Sequence, residues 1–172
     1  FDIAREKSIS AISRAVSGGQ KIFLVAQKNA VLEEPTPDDL FETGTVCRVK
    51  EYVTFPNGRV RIVVNGIYRA KIAEITGISP HFTAKIKKTV EKGKKYGTSL
   101  NFQADKRILL DLIGEYKSRL HGEDDLTAAR LTMIEDPEIF SFEASNLIEI
   151  NYMLKQQLLE ETDLKKRIDL LT

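Results

Sequence analysis

The sequence lacks the residues on which several kinds of functional site depend. Its 172 residues include one cysteine, two histidines and no tryptophan. A single cysteine, Cys47, cannot form an internal disulfide, which favours a reducing compartment. The two histidines, His81 and His121, are far apart and do not have the spacing of metal ligands, so we expect no transition-metal site.

The sequence shows no long apolar run and no signal-peptide pattern in its opening residues. No window approaches the roughly 18 consecutive apolar residues of a membrane span, so no membrane partner is expected. The opening residues, FDIAREKS, contain no basic segment followed by an apolar one and therefore do not predict a signal peptide. Because the chain begins with Phe1, we expect its natural N-terminus to lie upstream.

No motif of catalysis is present. Gly93-Lys94 is the one Gly-Lys pair, but Lys95 stands where a nucleotide-binding loop needs a hydroxyl. Cys47 lies in a predicted strand, without the histidine or helix end that would activate its thiol. The sequence therefore predicts no catalytic, cofactor-binding or metal-binding residue, and no enzymatic activity for this chain.

Charge is present but unevenly distributed. The net charge is +1, yet residues 85–107 carry eight basic and two acidic side chains, and residues 108–172 carry seven and fourteen. Such a break favours a change of structural unit near residues 92–100.

The first half of the chain predicts one helix followed by strands. In residues 5–17, Ile9, Ile12 and Val16 fall on one face of an amphipathic helix, which Gly18 and Gly19 end. Residues 21–28 predict a strand covered on both faces. Thr36 and Pro37 predict the start of a brief helix. The further predicted strands are 45–55, 59–64, 67–75 and 81–91, with a hairpin turn at Pro56-Asn57-Gly58 and a turn or bulge at Asn65-Gly66.

The second half has helical periodicity. Residues 92–98, KGKKYGT, predict a basic linker between a β-rich part, 1–91, and an α-helical part, 99–172. One stripe runs from Phe102 through Leu109, Leu112, Ile113 and Tyr116 to Leu120. Further helix starts are predicted at Asp124 or Asp125, with Leu126, Ala129, Arg130 and Met133 following, at Asp136-Pro137, and at Thr162 or Asp163. Because the last apolar stripe reaches the final residues, we expect it to continue into a longer helix.

A basic stretch leaves nucleic-acid binding open as an alternative. It comprises Lys85, Lys87, Lys88, Lys92, Lys94, Lys95, Lys106 and Arg107, with Tyr96 and Phe102 interleaved. Cations can displace counterions from phosphates and rings can stack on bases. The balanced charge of the whole chain favours a solvated surface instead.

Several short motifs follow one another along the chain: Gln27-Lys28, Asp39-Leu40, Gly44-Thr45-Val46, the Pro56-Asn57-Gly58 hairpin, the set Val64, Gly66, Arg69 and Ala70, and the set Gln156, Leu158, Leu159 and Glu160. This ordered series resembles the N-terminal, substrate-binding domain of the Lon family of ATP-dependent serine proteases. The similarity extends from about Arg5 to Leu171. Their order, rather than any one motif, is specific to the family.

The resemblance implies an α+β fold. A β-rich, PUA-like subdomain with one amphipathic helix, its first strand missing, would precede an α-helical bundle that couples to downstream modules. Those ATPase and Ser-Lys protease modules, which would bind ATP and Mg, are not in this chain. Residues 21–50 would then be scaffold.

The implied function is recruitment of unfolded or damaged polypeptides and support of a homohexamer, in the bacterial cytoplasm or an organelle matrix. Arg5, Glu6 and Lys7 are the candidate substrate contacts. A stand-alone Lon-domain interaction protein and a PUA-like nucleic-acid-binding module are the alternatives.

Overall fold

A five-stranded antiparallel sheet is the framework of the first half of the chain. The computed structural model describes residues 1–121 and 127–172, and it divides into two units, Phe1–Thr89 and Val90–Thr172. The strands of the first unit are β1 (Asp2–Ile3), β2 (Lys21–Gln27), β3 (Leu40–Thr54), β4 (Val60–Gly77) and β5 (Thr83–Lys88). Their order is β1-β4-β3-β2, and β5 also pairs with β4.

The β3–β4 hairpin is the longest pairing, and its turn was predicted correctly. Gly58 adopts φ +79° in the turn, and its N–H donates to the Phe55 carbonyl at 3.0 Å. Val60 and Ile62 are buried, as the alternation predicts. The predicted start of β3 at Thr45 is wrong. The strand begins five residues earlier because Leu40 already pairs with β2.

A bulge, not a turn, interrupts the middle of β4. Val46 of β3 pairs with Tyr68, but the next residue, Cys47, pairs with Gly66. Ile67 is therefore the extra residue, and β4 remains one strand of 18 residues. Of the two possibilities that Asn65-Gly66 left open, the structure shows the bulge.

The prediction that β2 is covered on both faces is wrong. β2 is an edge strand, and the apolar residues 22–25 are only half-buried. Helix α1 (Glu6–Ser17) packs on one face of the sheet, where Ile12 meets Val60 and Ile62. Periodicity alone could not distinguish this strand from a central one, because a short apolar run is compatible with both.

β5 is shorter than its alternating pattern predicts. It ends at Lys88, and Val90 is 75% exposed instead of lying on the inner face. Ala84 and Ile86 are half-buried and pair with Ile75 and Ile72 of β4. The apolar pattern therefore extends beyond the hydrogen-bonded strand.

Helices make up the second unit, so the fold is α+β. They are α2 (Lys94–Gly97), α3 (Leu100–His121), α4 (Thr127–Thr132), α5 (Pro137–Leu147), α6 (Tyr152–Glu160) and α7 (Leu164–Asp169). The core contains Phe102, Leu109, Ile113, Leu131, Phe140, Ala144, Leu164 and Ile168. Two members of the predicted α3 stripe, Leu112 and Leu120, are exposed instead. No helix of the described residues is long and apolar enough to cross a membrane.

Side-chain caps begin α5, α6 and α7. Asp136 accepts hydrogen bonds from the N–H groups of Glu138 and Ile139 at the start of α5, and Asp163 does the same at the start of α7. The cap at Asp136 was predicted, and of the alternatives Thr162 and Asp163 the structure shows Asp163; Asn151, which caps α6, was not predicted. The predicted caps Asp124 and Asp125, with Leu126 after them, lie outside the described residues.

Residues 92–98, predicted to be a linker, carry α2 and pack within the second unit. The Lys92 N–H donates to the Thr162 carbonyl at 2.8 Å, and the Leu164 N–H donates to the Lys92 carbonyl at 3.3 Å. Gly97 is buried, and a Cβ there would lie 3.0 Å from Pro137 Cγ. The segment before α7 is therefore tied to the start of the unit.

One buried arginine connects several parts of the second unit. Arg167 of α7 is 1% exposed. Its guanidinium donates to Ser141 Oγ at 2.9 Å and to the Glu161 carbonyl at 2.9 Å, and it lies 3.4 Å from the Glu91 carboxylate. Its carbon atom also lies 4.3 Å from the centre of the Phe142 ring. A buried charge needs such partners, because it has lost its hydration.

Candidate functional site

The beginning of α1 holds the loop that follows β2. The Arg5 guanidinium donates to the Gln27 side-chain oxygen and, at 2.8 Å, to the Leu32 carbonyl. The Gln27 amide donates to the same carbonyl at 3.0 Å. Two side chains therefore fix the middle of the loop formed by residues 28–36.

Lys7, two residues further along the chain in α1, contacts two loops at once. Its ammonium lies 3.4 Å from the Glu34 carboxylate and 5.4 Å from the centre of the Phe82 ring. Exposed ion pairs of this kind contribute only about 0–1 kcal/mol, so the contact orients the loops more than it stabilises the fold. Glu6 lies between Arg5 and Lys7, is exposed, and makes no hydrogen bond or ion pair with the residues that the structure describes.

The loop after β2 has a defined conformation of its own. Asn29 Oδ1 accepts a hydrogen bond from the Val31 N–H at 3.1 Å, which forms a local turn. At the other end, the N–H and hydroxyl of Thr36 both donate to the Asp39 carboxylate, at 2.8 and 2.7 Å. These hydrogen bonds from Thr36 lower the pKa of Asp39. The predicted helix start at Thr36 is confirmed as one 3-10 turn, Pro37–Asp39.

A second loop, residues 78–82, is held against the same helix. Ser10 Oγ of α1 lies 3.0 Å from His81 Nδ1. Each loop displays apolar side chains to solvent: Val31 is 85% exposed, Ile78 is 58% exposed, and Leu32 is partly exposed. We call Val31, Leu32 and Ile78 the loop surface.

The side chains of this region can be compared with what catalysis, metal binding and polypeptide binding each require. Cys47 is buried, which raises the pKa of its thiol and keeps it protonated. Among the described residues, no group of three or more His, Cys, Asp or Glu side chains could hold a metal ion. The loop surface offers what an apolar polypeptide segment requires, namely accessible apolar side chains on a fixed backbone.

The basic stretch is not arranged for base stacking. Phe102 is buried in the core of the second unit, and the Tyr96 hydroxyl donates to Asp105 at 2.6 Å. Lys106 donates to the Ile134 carbonyl at 2.6 Å. The rings are therefore engaged in packing and are not displayed beside the cations.

The predicted contact residues Arg5, Glu6 and Lys7 lie beside the loop surface. The apolar side chains of that surface are candidates that the sequence did not predict. Arg5 and Lys7 reach the loops, and Glu6 faces solvent beside them. Val31 and Leu32 were not predicted as contacts, because residues 21–50 were interpreted as scaffold throughout, and Ile78 lies between two predicted strands and was not singled out. The available signal was Val31-Leu32, an apolar pair between Asn29 and two glutamates in a segment too short and polar for a strand.

Solved structures place the fold among Lon N-terminal domains. The N-terminal domain of the Mycobacterium avium complex Lon protease superposes with a TM-score of 0.74 at 18% identity and covers 99% of this chain and 86% of that one. A Lon N-terminal domain protein from Xanthomonas campestris gives a TM-score of 0.62 at 9% identity, covering 99% and 85%. At these identities the likeness concerns the fold alone.

The sequence itself establishes the family. The chain belongs to the family described as the ATP-dependent protease La (LON) substrate-binding domain, which matches residues 1–172. Curated relatives include the Lon proteases of Halothermothrix orenii, 31% identical over 170 residues, and Clostridium acetobutylicum, 34% identical over 170 residues. These alignments cover 97% and 98% of this chain but 21% and 22% of the relatives, so the chain spans about a fifth of their length. The resemblance in the sequence motifs is thereby confirmed.

Proposed function

We propose that this chain is the non-catalytic part of a Lon-type ATP-dependent protease that recruits unfolded or damaged polypeptides. The observation that carries the proposal is the loop surface: apolar side chains displayed on two loops that α1 fixes in place. Membership of a substrate-binding family supports it. ATP, Mg and the hydrolytic residues would belong to modules outside this chain.

Binding would depend on apolar burial. Folded proteins keep long apolar segments inside, so such segments reach the loop surface only after unfolding. Each square ångström of apolar surface removed from water contributes roughly 25 cal/mol. Loops that are already ordered lose little conformational entropy on binding, which leaves more of this energy available.

The residues at the start of α1 would contribute in two ways. Arg5 and Lys7 position the loops through the contacts to Leu32 and Glu34 and border the bound segment. Glu6 presents a carboxylate beside them, where it would favour cationic side chains next to the apolar segment. We therefore retain all three as candidate substrate contacts, with different roles.

The proposal also includes assembly and location. The chain would support a homohexamer in the cytoplasm of a bacterium, which the bacterial origin of its Lon protease relatives supports. The β-rich first unit would be of the PUA-like kind. The helices of the second unit would couple to the downstream modules, a role that suits the hydrogen bonds joining residues 162–164 to Lys92.

A binding measurement with matched variants tests the recruitment proposal. Fluorescence anisotropy would compare reduced, carboxymethylated α-lactalbumin, which stays unfolded, with the native protein. We expect the chain to bind the unfolded form more tightly, and Val31→Ser with Ile78→Ser to weaken that binding about tenfold, from the loss of one to two kcal/mol of apolar burial. Val90→Ser is the control, because Val90 is 75% exposed in the other unit. Equal binding of both forms, or none, would contradict the proposal.

A further inference from the structure

β2 has a second edge that no strand covers. It pairs with β3 on one side, and within residues 1–121 and 127–172 no strand pairs with its other side. Helix α1 does not occupy that edge. Its Ile12 reaches Val60 and Ile62 on β4, two strands away, so the helix lies across the face of the sheet. The edge of β2 is therefore open within the first unit.

The register defines which backbone groups the edge displays. The Val49 N–H donates to the Gln20 carbonyl at 2.8 Å, which makes this a hydrogen-bonded pair of the antiparallel ladder. Hydrogen-bonded pairs alternate along such a ladder, so Ile22 and Leu24 also face β3. Lys21, Phe23 and Val25 consequently direct their N–H and carbonyl groups outward. This gives about six backbone hydrogen-bonding groups in the spacing of a strand.

Beyond Lys21, at its start, this edge lacks the usual protections of an edge strand. Edge strands are commonly blunted by proline, by charged residues or by bulges. Residues 22–26, IFLVA, contain neither proline nor charge. A register shift occurs only between Val25 and Gln27, where it ends the regular edge. From Ile22 to Val25, no proline, charge or bulge blocks pairing with another strand.

Two basic side chains at the start of β2 also favour a ligand that carries an acidic group. Lys21 lies directly opposite Arg48, and both side chains are exposed. Theirs is a non-hydrogen-bonded pair, in which cross-strand side chains approach most closely, and like charges placed this way destabilise a sheet. Neither makes an ion pair with a residue that the structure describes. An acidic group on a bound chain would compensate them.

We propose that β2 accepts an extended segment of the recruited polypeptide as an additional strand. The segment would be apolar at alternate positions and would carry an acidic residue near Lys21 and Arg48. Backbone pairing of this kind suits unfolded chains of many sequences, because the hydrogen bonds do not depend on side chains. This inference rests on the proposed function and extends the binding site from the loop surface to the edge of β2. The two are connected, because the Gln27 side chain at the end of β2 donates to the Leu32 carbonyl in the loop.

Peptide binding and amide exchange test the inference on the whole chain. The probe is a fluorescein-labelled ten-residue peptide of alternating valine and threonine with two aspartates at one end. We expect the peptide to slow exchange at the outward amides of Lys21, Phe23 and Val25, while those of Ile22 and Leu24 are slow beforehand. Backbone N-methylation of one alternate set of peptide residues should weaken binding about tenfold, and methylation of the other set should be tolerated.

A pair of variants at one position separates backbone pairing from side-chain contact. Phe23→Pro removes an outward N–H and the ring, whereas Phe23→Ala removes the ring and keeps the N–H. We expect the proline variant to bind the peptide about fivefold more weakly than the alanine variant. If the proline variant does not fold, the exchange measurement on the unmodified chain decides alone.

The outcomes distinguish this inference from the proposed function. Binding of unfolded α-lactalbumin without protection at Phe23 and Val25 would overturn strand addition and leave recruitment intact. Absence of any binding of unfolded α-lactalbumin would overturn recruitment itself. Protection of these amides in the free chain, increasing with its concentration, would show that a second copy occupies the edge and would also overturn the inference.

Discussion

The two units are stabilised by different means. The first depends on backbone pairing along two long strands, and one of its buried clusters consists of Ile12, Val60 and Ile62. The second has a cluster of eight buried apolar residues and a buried arginine that gathers polar groups inside. Both units expose apolar side chains, and the first unit adds an open strand edge, which can supply backbone hydrogen bonds to a ligand. Single substitutions in one unit or the other test this difference in how the two units are stabilised.

The largest expected effect is the loss of the buried arginine. Arg167→Ala removes the buried guanidinium that contacts Glu91 and Ser141, and removing one member of a buried pair costs about 3–5 kcal/mol. Urea unfolding followed by far-UV circular dichroism would measure the change. Arg119→Ala is the control, because that side chain is 82% exposed and its ion pair with Glu115 is long, at 3.8 Å. A cost below 1 kcal/mol for Arg167→Ala would contradict the importance given to this residue.

Substitution of Gly44 in the sheet should destabilise the chain by the next largest amount. A Cβ at Gly44 would lie 2.2 Å from the Leu24 carbonyl oxygen, so Gly44→Ala must push β2 away from β3, at a cost of about 1–3 kcal/mol. Amide exchange would show the loss in β2 first. Gly66→Ala provides the comparison in the same sheet, since its Cβ would meet only Thr45 Cγ2 at 3.4 Å. Equal effects of the two substitutions would show that the predicted clash is not the cause.

Substitution of a glycine in the second unit, Gly114, should stabilise the chain instead. A Cβ at Gly114, inside α3, meets nothing within 4 Å. Gly114→Ala should therefore stabilise the chain by about 0.5–1 kcal/mol, because alanine loses less conformational entropy in a helix. Thermal unfolding would detect a higher Tm. A lower Tm would mean that α3 needs its glycine for a reason other than local packing.

The smallest expected effect is a pH dependence that differs between two tyrosines. Burial, with the hydrogen bond to Asp105, raises the pKa of Tyr96, whereas hydrogen bonds with Thr54 and Ser13 lower the pKa of Tyr52. Above about pH 10 the unfolded chain releases the Tyr96 proton and the folded chain retains it, so stability falls as pH rises. Tyr96→Phe should reduce this alkaline loss in urea titrations at pH 9 and 11, and Tyr52→Phe should not. Identical alkaline losses in all three proteins would refute the assignment.

Local rules predicted the parts of the fold that local chemistry determines. Asp136 and Asp163 cap their helices as expected, because each side chain accepts from N–H groups two and three residues away. The Pro56-Asn57-Gly58 turn is also local, because Gly58 supplies the positive φ that the turn requires. The family, too, could be recognised from the order of short motifs.

Features set by tertiary neighbours could not be predicted in the same way. The apolar run of β2 is compatible with a central or an edge strand, and only the strand order shows that it is the edge. Leu112 and Leu120 share the periodicity of Leu109 and Ile113, but the core reaches only part of that stripe. The candidate site was half predicted: Arg5 and Lys7 were chosen, yet the loop they hold was interpreted as scaffold.

The central claim is that polypeptide recruitment belongs to the first unit. Hydrogen–deuterium exchange of the whole chain, with and without reduced, carboxymethylated α-lactalbumin, tests it most directly. We predict that protection appears in residues 21–36 and 78–82 and is absent from α3, α5 and α6. Protection confined to those helices, with none in the two loops or β2, would contradict the claim.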